Sequence, residues 1–388
     1  MPSPSSNKAI IAAAGSGKTE EIVTMALAVP PDEGVLITTY TDNGATEIRN
    51  RIVSKVGLVP SNIRVIPWLT FLIRHGVKPY QSPAVGINQV SGLHFDKRFG
   101  FPKKVDVQKY YLDKSSKVYR DFLSEFACLL NEQSGGAVVA RIATIFAHIF
   151  YDEIQDISGR DFEFLELLMD SPANVTVVGD PRQGTFSTTQ SRTNRGQTKS
   201  EVTKWLENLH AKNKLDLVFM NHSHRCRPEI CSFSDALYPD FGETESRNVT
   251  GTLHDGVFLV RTAHVTAYIL EHQPQVLVWN KTSETFGARA RNMGDVKGLT
   301  YERVLINPTV PMTRYLQNGA DLAKESRAKF YVGLTRARQS VVIVLDTPGS
   351  STLTYWEPSP EPTVPPTSVA LDLSWVAVII KDIWGPKA

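Results

Sequence analysis

The sequence predicts an α/β protein with parallel sheets covered on both faces by helices, arranged as two successive domains and a tail. Three observations lead there. Short apolar, β-branched runs alternate with segments of helical spacing, the pattern of strands buried in a parallel sheet. A Gly-rich turn ending in Lys-Thr sits between the first such run and the first helical segment. At 388 residues, 41% of them hydrophobic, the chain is long enough for two or three domains with sizeable cores.

Ala9-Ile10-Ile11-Ala12 reads as a buried strand, and Glu20 to Leu27 as a helix. Val35 to Tyr40 follows a Pro-Pro-Asp-Glu-Gly turn and reads as a second strand. Thr41-Asp42-Asn43-Gly44 has capping chemistry. It opens a helix from Ala45 to Val56 with Ile48, Ile52 and Val56 on one face. Ile63 to Ile66 is a third strand, leading into Trp68-Leu69-Thr70-Phe71. Residues 76–136 break the rhythm and read as an insertion in which Val118 to Leu130 is helical. The sheet resumes at Thr144–Tyr151 and continues at Val175–Val178.

Ser187 to Ser200 is polar, carries Arg192, Arg195 and Lys199, and by itself reads as a solvated loop. Lys214 to Phe219 opens a second series, with strands expected at Gly256–Val260, Gln275–Trp279, Arg303–Ile306 and Val341–Leu345. The division expected is 1–213, 214–347 and a tail, 348–388. The tail begins rich in Pro, Ser and Thr and ends in an apolar segment bearing Trp375 and Trp384.

The net charge of +2 sets no global preference for nucleic acid, so any such groove is a local basic patch. Three cysteines, Cys128, Cys226 and Cys231, argue against a disulfide framework and for a reducing cytoplasm. The N-terminus lacks the features of a signal peptide. No apolar run approaches the roughly 20 residues of a membrane span.

Gly15, Ser16, Gly17, Lys18 and Thr19 form the phosphate cradle. Backbone N–H groups and the helix N-terminus face the anion, Lys18 reaches the outer phosphates, and Thr19 offers its hydroxyl to Mg²⁺. Ala12 stands where the general pattern has Gly. Asp152 and Glu153 end a buried strand. Asp152 suits Mg²⁺ binding, and Glu153 suits the base that polarises the attacking water. Gln183, closing the next strand, is placed to sense the γ-phosphate. Arg225 and Arg336 are candidate arginine fingers from the second domain. His222, His224, Cys226 and Cys231 form a rival zinc set whose spacing fits no standard finger.

The ordered motifs AAAGSGKT, TYTDNGATEIRNRI, TF, YDEIQD, VVGDPRQ, SHRC, VKGLTYERVLI and YVGLTRARQS resemble those of superfamily 1 helicases of the Rep/UvrD-like class. They span Ala9 to Leu345. The class includes small members that serve as subunits of anti-phage systems.

The resemblance implies two RecA-like P-loop domains, ATP and Mg²⁺ in the cleft between them, and single-stranded or partly duplex DNA across their top. It implies ATP-driven 3′-to-5′ movement. Carried over by position, Glu153, Gln183, Arg225 and Arg336 are catalytic. Gly15 to Thr19, His224 and Gly298 bind nucleotide, and Thr19 and Asp152 hold Mg²⁺. Thr39, Tyr40, Thr41, Thr70, Phe71, Phe186, Arg192, Arg195 and Lys297 line the DNA path, with Phe186 stacking on a base.

Departures from the pattern are specific. No Gln-bearing helix precedes the first strand, which weakens the case for adenine selection. Gly294 and Thr300 replace the usual His and Glu around Lys-Gly-Leu, and Thr188 replaces a second stacking aromatic. Gaps of about 80 and about 70 residues between motifs leave little room for accessory domains. A compact motor that relies on a protein partner is therefore expected. The alternatives are a nucleotide-sensing regulatory subunit and a P-loop ATPase with no nucleic-acid partner.

Overall fold

The computed structural model describes residues 7–82, 86, 89–98, 100, 102–157, 159–184 and 202–358. In chain order the strands are β1 (Lys8–Ala12), β2 (Val35–Thr39), β3 (Ile63–Pro67), β4 (Gly92–His94), β5 (Lys117–Tyr119), β6 (His148–Asp152), β7 (Asn174–Gly179), β8 (Asp216–Met220), β9 (His222–Ser223), β10 (Glu245–Ser246), β11 (Gly256–Val260), β12 (Gln275–Val278), β13 (Ala290–Asn292), β14 (Tyr301–Ile306) and β15 (Ala337–Val344).

The first sheet has six parallel strands in the order β3-β2-β6-β7-β1-β8. The second has five, in the order β11-β15-β14-β12-β13, also parallel. The apolar runs fall where parallel sheets demand them: all five residues of β2 are buried, as are six consecutive residues from Gln339 to Val344 in β15. The two-sheet α/β architecture expected from the sequence is the one observed.

Three expectations are corrected. The segment expected to open the second series, Lys214 to Phe219, instead supplies β8, the outer strand of the first sheet. It pairs with β1 from Lys8↔Asp216 to Ala12↔Met220. That pairing satisfies the backbone groups on the side of β1 turned away from β7, which sequence patterning does not reveal. The helix expected from Val118 instead starts at Leu123 and runs to Gln133, because Lys117–Tyr119 pairs with Gly92–His94. Val56 is 48% exposed, while Ala45, Ile48 and Ile52 are buried.

The helix Asp42–Val56 begins and ends on its capping chemistry. Thr41 Oγ1 accepts from Gly44 N at 3.1 Å, and Gly57 closes it at φ +82°.

The helix Trp68–Phe71 continues into a π-helical turn at Leu72–Val77. Trp68 is fully buried and donates through Nε1 to Asp161 Oδ1 at 2.8 Å. Phe71 is also fully buried, its ring 5.4 Å from Trp68 and 5.7 Å from His75. Phe71 is thus a core residue of the first domain and presents nothing to a nucleic acid. Phe71→Ala is expected to cost about 3–5 kcal/mol of stability, read as a lower urea midpoint. A surface contact residue would leave the midpoint unchanged.

The chain divides into two compact units after Trp356. Within the first unit, Thr354–Trp356 runs along β11: Leu259 N donates to Thr354 O, and Trp356 N donates to Leu259 O. Trp375 and Trp384 lie outside the described residues, as do Phe186, Arg192 and Arg195. Among the described residues no helix is long and apolar enough to cross a membrane.

Candidate functional site

The site forms beyond the ends of β1 and β6, where residues 223–225 and Arg336 meet them. Beyond Ala12 the chain turns through Gly15 (φ +77°) and Gly17 (φ +87°) into the helix Lys18–Leu27. Glycine is required at position 15 for space as well as conformation. A Cβ there would sit 2.6 Å from Arg225 Cβ and 2.7 Å from Ser223 Oγ. The loop is pinned from that side, since Ser223 Oγ donates to Ala14 O at 2.7 Å and His224 N to Gly15 O at 2.9 Å. Gly15→Ala is therefore expected to weaken nucleotide binding at least about tenfold, the equivalent of 1.4 kcal/mol. Titration with a fluorescent nucleotide reads this directly.

The cradle meets the acidic strand end at two points. Thr19 Oγ1 donates to Asp152 Oδ2 at 2.9 Å, and Lys18 Nζ lies 3.1 Å from Glu153 Oε1. Glu153 adopts φ +63°, ψ +47°, a left-handed conformation that costs a non-glycine residue roughly 1–3 kcal/mol. That turn brings its carboxylate to Lys18 rather than continuing the strand.

Burial, and then the negative Glu153 beside it, pushes the Asp152 carboxyl above its ordinary range. Burial alone would raise Glu153 too. The ammonium groups of Lys18 and Lys297 outweigh it and hold Glu153 well below the usual carboxylate range.

The opposite wall comes from Arg225, just after β9, and Arg336, just before β15. Arg336 is 1% exposed and donates to Val332 O at 3.1 Å and to Gln183 Oε1 at 3.2 Å. Arg225 Nη1 donates to Thr335 O at 3.0 Å. Neither guanidinium has a carboxylate partner among the described residues. Burial and then the neighbouring Arg225 push Arg336 down to about 9, and burial lowers Arg225 as well. A buried Arg336 and a half-buried Arg225, mutually repelling and facing one cleft, call for an anion between them.

The cleft is lined by Gly15–Thr19, Glu153, Gln183, Arg225, Gly298 and Arg336, with Glu20, Glu47 and Arg51 also on its wall. Among the described residues the buried Ser16 hydroxyl has no hydrogen-bond partner. An unsatisfied donor in a cradle of backbone N–H groups fits a phosphate oxygen. The Thr19–Asp152 pair supplies the hydroxyl and carboxylate oxygens that a hard divalent cation takes.

His224 is exposed beside the loop, its ring 5.1 Å from His222 at 86°. Its backbone is fixed to Gly15. Cys226 and Cys231 are buried, and among the described residues no group of three or more His, Cys, Asp or Glu could hold a metal ion. The zinc set therefore does not assemble.

The expected nucleic-acid residues that the structure describes differ in exposure. Tyr40 and Thr70 are half-buried and Thr41 is exposed, while Thr39 is 2% exposed and joins Phe71 in offering no surface. Lys297 is the clearest departure. Its Nζ lies 3.1 Å from Glu153 Oε2 and 2.5 Å from Asp156 Oδ2, so its charge is engaged by two carboxylates. Burial disfavours its charge, but Asp156 and then Glu153 outweigh burial and keep it protonated.

Sequence reasoning also passed over Tyr331. Its hydroxyl donates to Asp180 Oδ2 at 3.0 Å and accepts from Ala14 N at 3.5 Å, joining the second domain to both the cradle and β7. Its place five residues before Arg336 was visible in the sequence, but its partners are distant in the chain.

The family model for the viral superfamily 1 RNA helicase core domain matches residues 144–345, more than half of the chain. The chain belongs to that family. In this helicase core the matched span holds Asp152, Glu153, Gln183, Arg225, Lys297 and Arg336, and the Gly15–Thr19 loop precedes it.

Among solved structures, the arterivirus nonstructural protein 10 helicase is 15% identical at a TM-score of 0.46, covering 88% of this chain and 60% of that one. The same protein in complex with DNA is 14% identical at 0.45, covering 88% and 61%. The PRRSV helicase is 14% identical at 0.41, covering 88% and 52%. This helicase core thus spans about three-fifths of the length of the first two. No curated protein matches it.

Proposed function

We propose that the chain is an ATP-fuelled motor that moves on single-stranded nucleic acid and separates or remodels duplex. The observation that carries this reading is the cleft itself. Lys18, Thr19, Asp152 and Glu153 stand on one domain, and two carboxylate-free guanidiniums, Arg225 and Arg336, stand on the other.

In this reading Gly15–Thr19 and Lys18 bind the phosphates, and Gly298 and His224 border the nucleotide. Thr19 and Asp152 would hold Mg²⁺, which when bound neutralises charge on the outer phosphates. Glu153 orients the attacking water and accepts its proton. Arg225 and Arg336 meet the charge that develops on the transferring group, which no cradle residue can do from its own side. Gln183, bonded to Arg336, carries the state of the γ-phosphate toward the nucleic-acid surface. Domain closure on ATP and reopening after hydrolysis alternate the grip on the strand.

The finer reading is single-stranded DNA traversed 3′-to-5′, as in Rep/UvrD-like helicases, supported by the DEIQD and VKGL motifs. The first motor domain would then close with β8, the second would run to residue 347, and a protein partner would supply processivity in the cytoplasm.

Strand separation on duplexes with a 3′ or a 5′ single-stranded tail, made in DNA and in RNA, tests all of this. The expected result is unwinding of the 3′-tailed DNA. Unwinding confined to 5′ tails would reverse the direction, and unwinding of RNA alone would reassign the track. ATP turnover stimulated by nucleic acid without separation of any substrate would favour a signalling or regulatory subunit.

A further inference from the structure

Tyr331 closes a ring of hydrogen bonds that includes Gln183 and Arg336, both on the cleft wall. It is buried on the helix Lys324–Leu334, five residues before Arg336. Its hydroxyl donates to Asp180 Oδ2 at 3.0 Å. The same carboxylate oxygen accepts from Gln183 Nε2 at 2.9 Å, and Gln183 Oε1 accepts from Arg336 Nη2 at 3.2 Å. From Arg336 the chain itself leads back to Tyr331. Burial raises the phenol well above its ordinary value, so the hydroxyl stays a donor.

Asp180, which receives that hydroxyl, is a fixed post at the end of β7. Its side chain is fully buried, and Oδ1 accepts from Arg182 Nε at 2.8 Å and from Arg182 N at 3.2 Å. Its own N donates to Gln155 Oε1 at 3.0 Å. The backbone before it has no slack, since a Cβ at Gly179 would lie 2.2 Å from Gln155 Oε1 and 2.9 Å from Ile154 N. Both carboxylate oxygens accept from donors. Gln183 therefore meets Asp180 with its amino group and turns its carbonyl to Arg336.

The backbone of Tyr331 bears on both arginines. Its carbonyl accepts from Thr335 N at 3.0 Å and from Thr335 Oγ1 at 2.8 Å. Thr335 accepts in turn from the two guanidiniums, through its carbonyl from Arg225 Nη1 at 3.0 Å and through its hydroxyl from Arg336 Nη2 at 3.3 Å. The turn on which both guanidiniums rest is thus tied to Tyr331, and the Tyr331 hydroxyl is tied to Asp180. The ring is held by Arg182, 5.0 Å from its centroid, and by Tyr238 at 5.6 Å. Those contacts are less directional than the hydroxyl bond.

We infer that the Tyr331 hydroxyl is a strut that sets Arg336, Arg225 and Gln183 at their working distance from the Gly15–Thr19 cradle. The strut rests on the reading of the cleft as the site of ATP hydrolysis and adds a positioning residue to it. Tyr331 acts through Asp180 on Gln183 and through Thr335 on the arginines. Charge developing on a transferring phosphoryl group is stabilised only by groups already in place, and a displacement of about 1 Å can cost about 10²-fold. Ala14 N lies 3.5 Å from the hydroxyl, too long to shape the cradle. The cradle keeps its own pins from Ser223 and His224, so the strut governs the rate more than nucleotide affinity.

ATP turnover, fluorescent-nucleotide binding and Tm of the full chain test the strut in the wild type, Tyr331→Phe, Arg336→Ala and the double variant. Tyr80→Phe is the control, because Tyr80 also donates its hydroxyl to a distant carbonyl, Ala137 O at 2.9 Å, and does not line the cleft. Tyr331→Phe keeps the ring and removes the bond to Asp180. It is expected to lower kcat by at least about fivefold and up to about 10²-fold, with nucleotide affinity within about threefold of the wild type. Tyr80→Phe should lower Tm and leave kcat within about twofold. Once Arg336 is gone, removing the hydroxyl should cost kcat about twofold or less, because residues that act as a unit are not additive.

A loss of kcat in Tyr331→Phe of less than about fivefold, with the wild type active, overturns the strut and leaves ATP hydrolysis in the cleft standing. A loss that multiplies in full with Arg336→Ala, one that Tyr80→Phe matches, or a Tyr331→Phe chain that does not fold overturns it equally, since each makes the hydroxyl a stability contact. A wild type that hydrolyses no ATP overturns the reading of the cleft itself.

Discussion

Glu153→Gln is expected to bind ATP at least as tightly as the wild type and to turn it over about 10²–10⁴ times more slowly, the usual contribution of a positioned general base. The two halves of that expectation come from different contacts. The amide keeps the shape of the side chain but removes the negative charge that holds Lys18 at 3.1 Å, leaving Lys18 freer to meet phosphate. It also removes the proton acceptor. Single-turnover hydrolysis beside equilibrium nucleotide binding separates the two. A variant that loses binding as well as turnover would make Glu153 a scaffold for Lys18 rather than a base.

Arg336→Ala is expected to lower kcat by about 10³-fold or more, the range of an arginine supplied to a transferring phosphoryl group. It also has a structural cost. Removing a side chain that is 1% exposed leaves Gln183 Oε1 and the Val332 carbonyl without this donor, worth about 1–3 kcal/mol for each buried group left unpaired. Arg336→Lys distinguishes these effects. It returns a cation but not the planar fork that reaches both Gln183 and the cleft. It should recover part of the lost Tm while kcat stays at least tenfold below the wild type, or 1.4 kcal/mol in the barrier. Full recovery of kcat by lysine would reduce Arg336 to a simple positive charge.

The parts of the site that the sequence revealed are those written in local chemistry. A strand, two glycines at positive φ and Lys-Thr define the cradle within a dozen residues, and Asp152-Glu153 follows directly on its strand. Thr41 likewise announced its helix cap. What the sequence concealed depends on pairing between distant segments. β8 reads as the start of a new domain because nothing local says that β1 lacks a neighbour on that side. Phe71 follows Thr70 in a nucleic-acid motif, yet the π-helical turn behind it and the Trp68 ring beside it draw it into the core. Lys297 carries the charge expected of a strand-binding residue, but two acids 141 and 144 positions earlier claim it first.

Hydrolysis in the cleft is expected to answer to nucleic acid, and turnover titrated with single-stranded oligonucleotide measures that response. Wild-type turnover should rise with oligonucleotide and saturate, and Lys18→Ala should show no turnover at any concentration. Wild-type turnover that stays flat across the titration, or hydrolysis that persists in Lys18→Ala, would mean that the cleft does not drive a nucleic-acid motor.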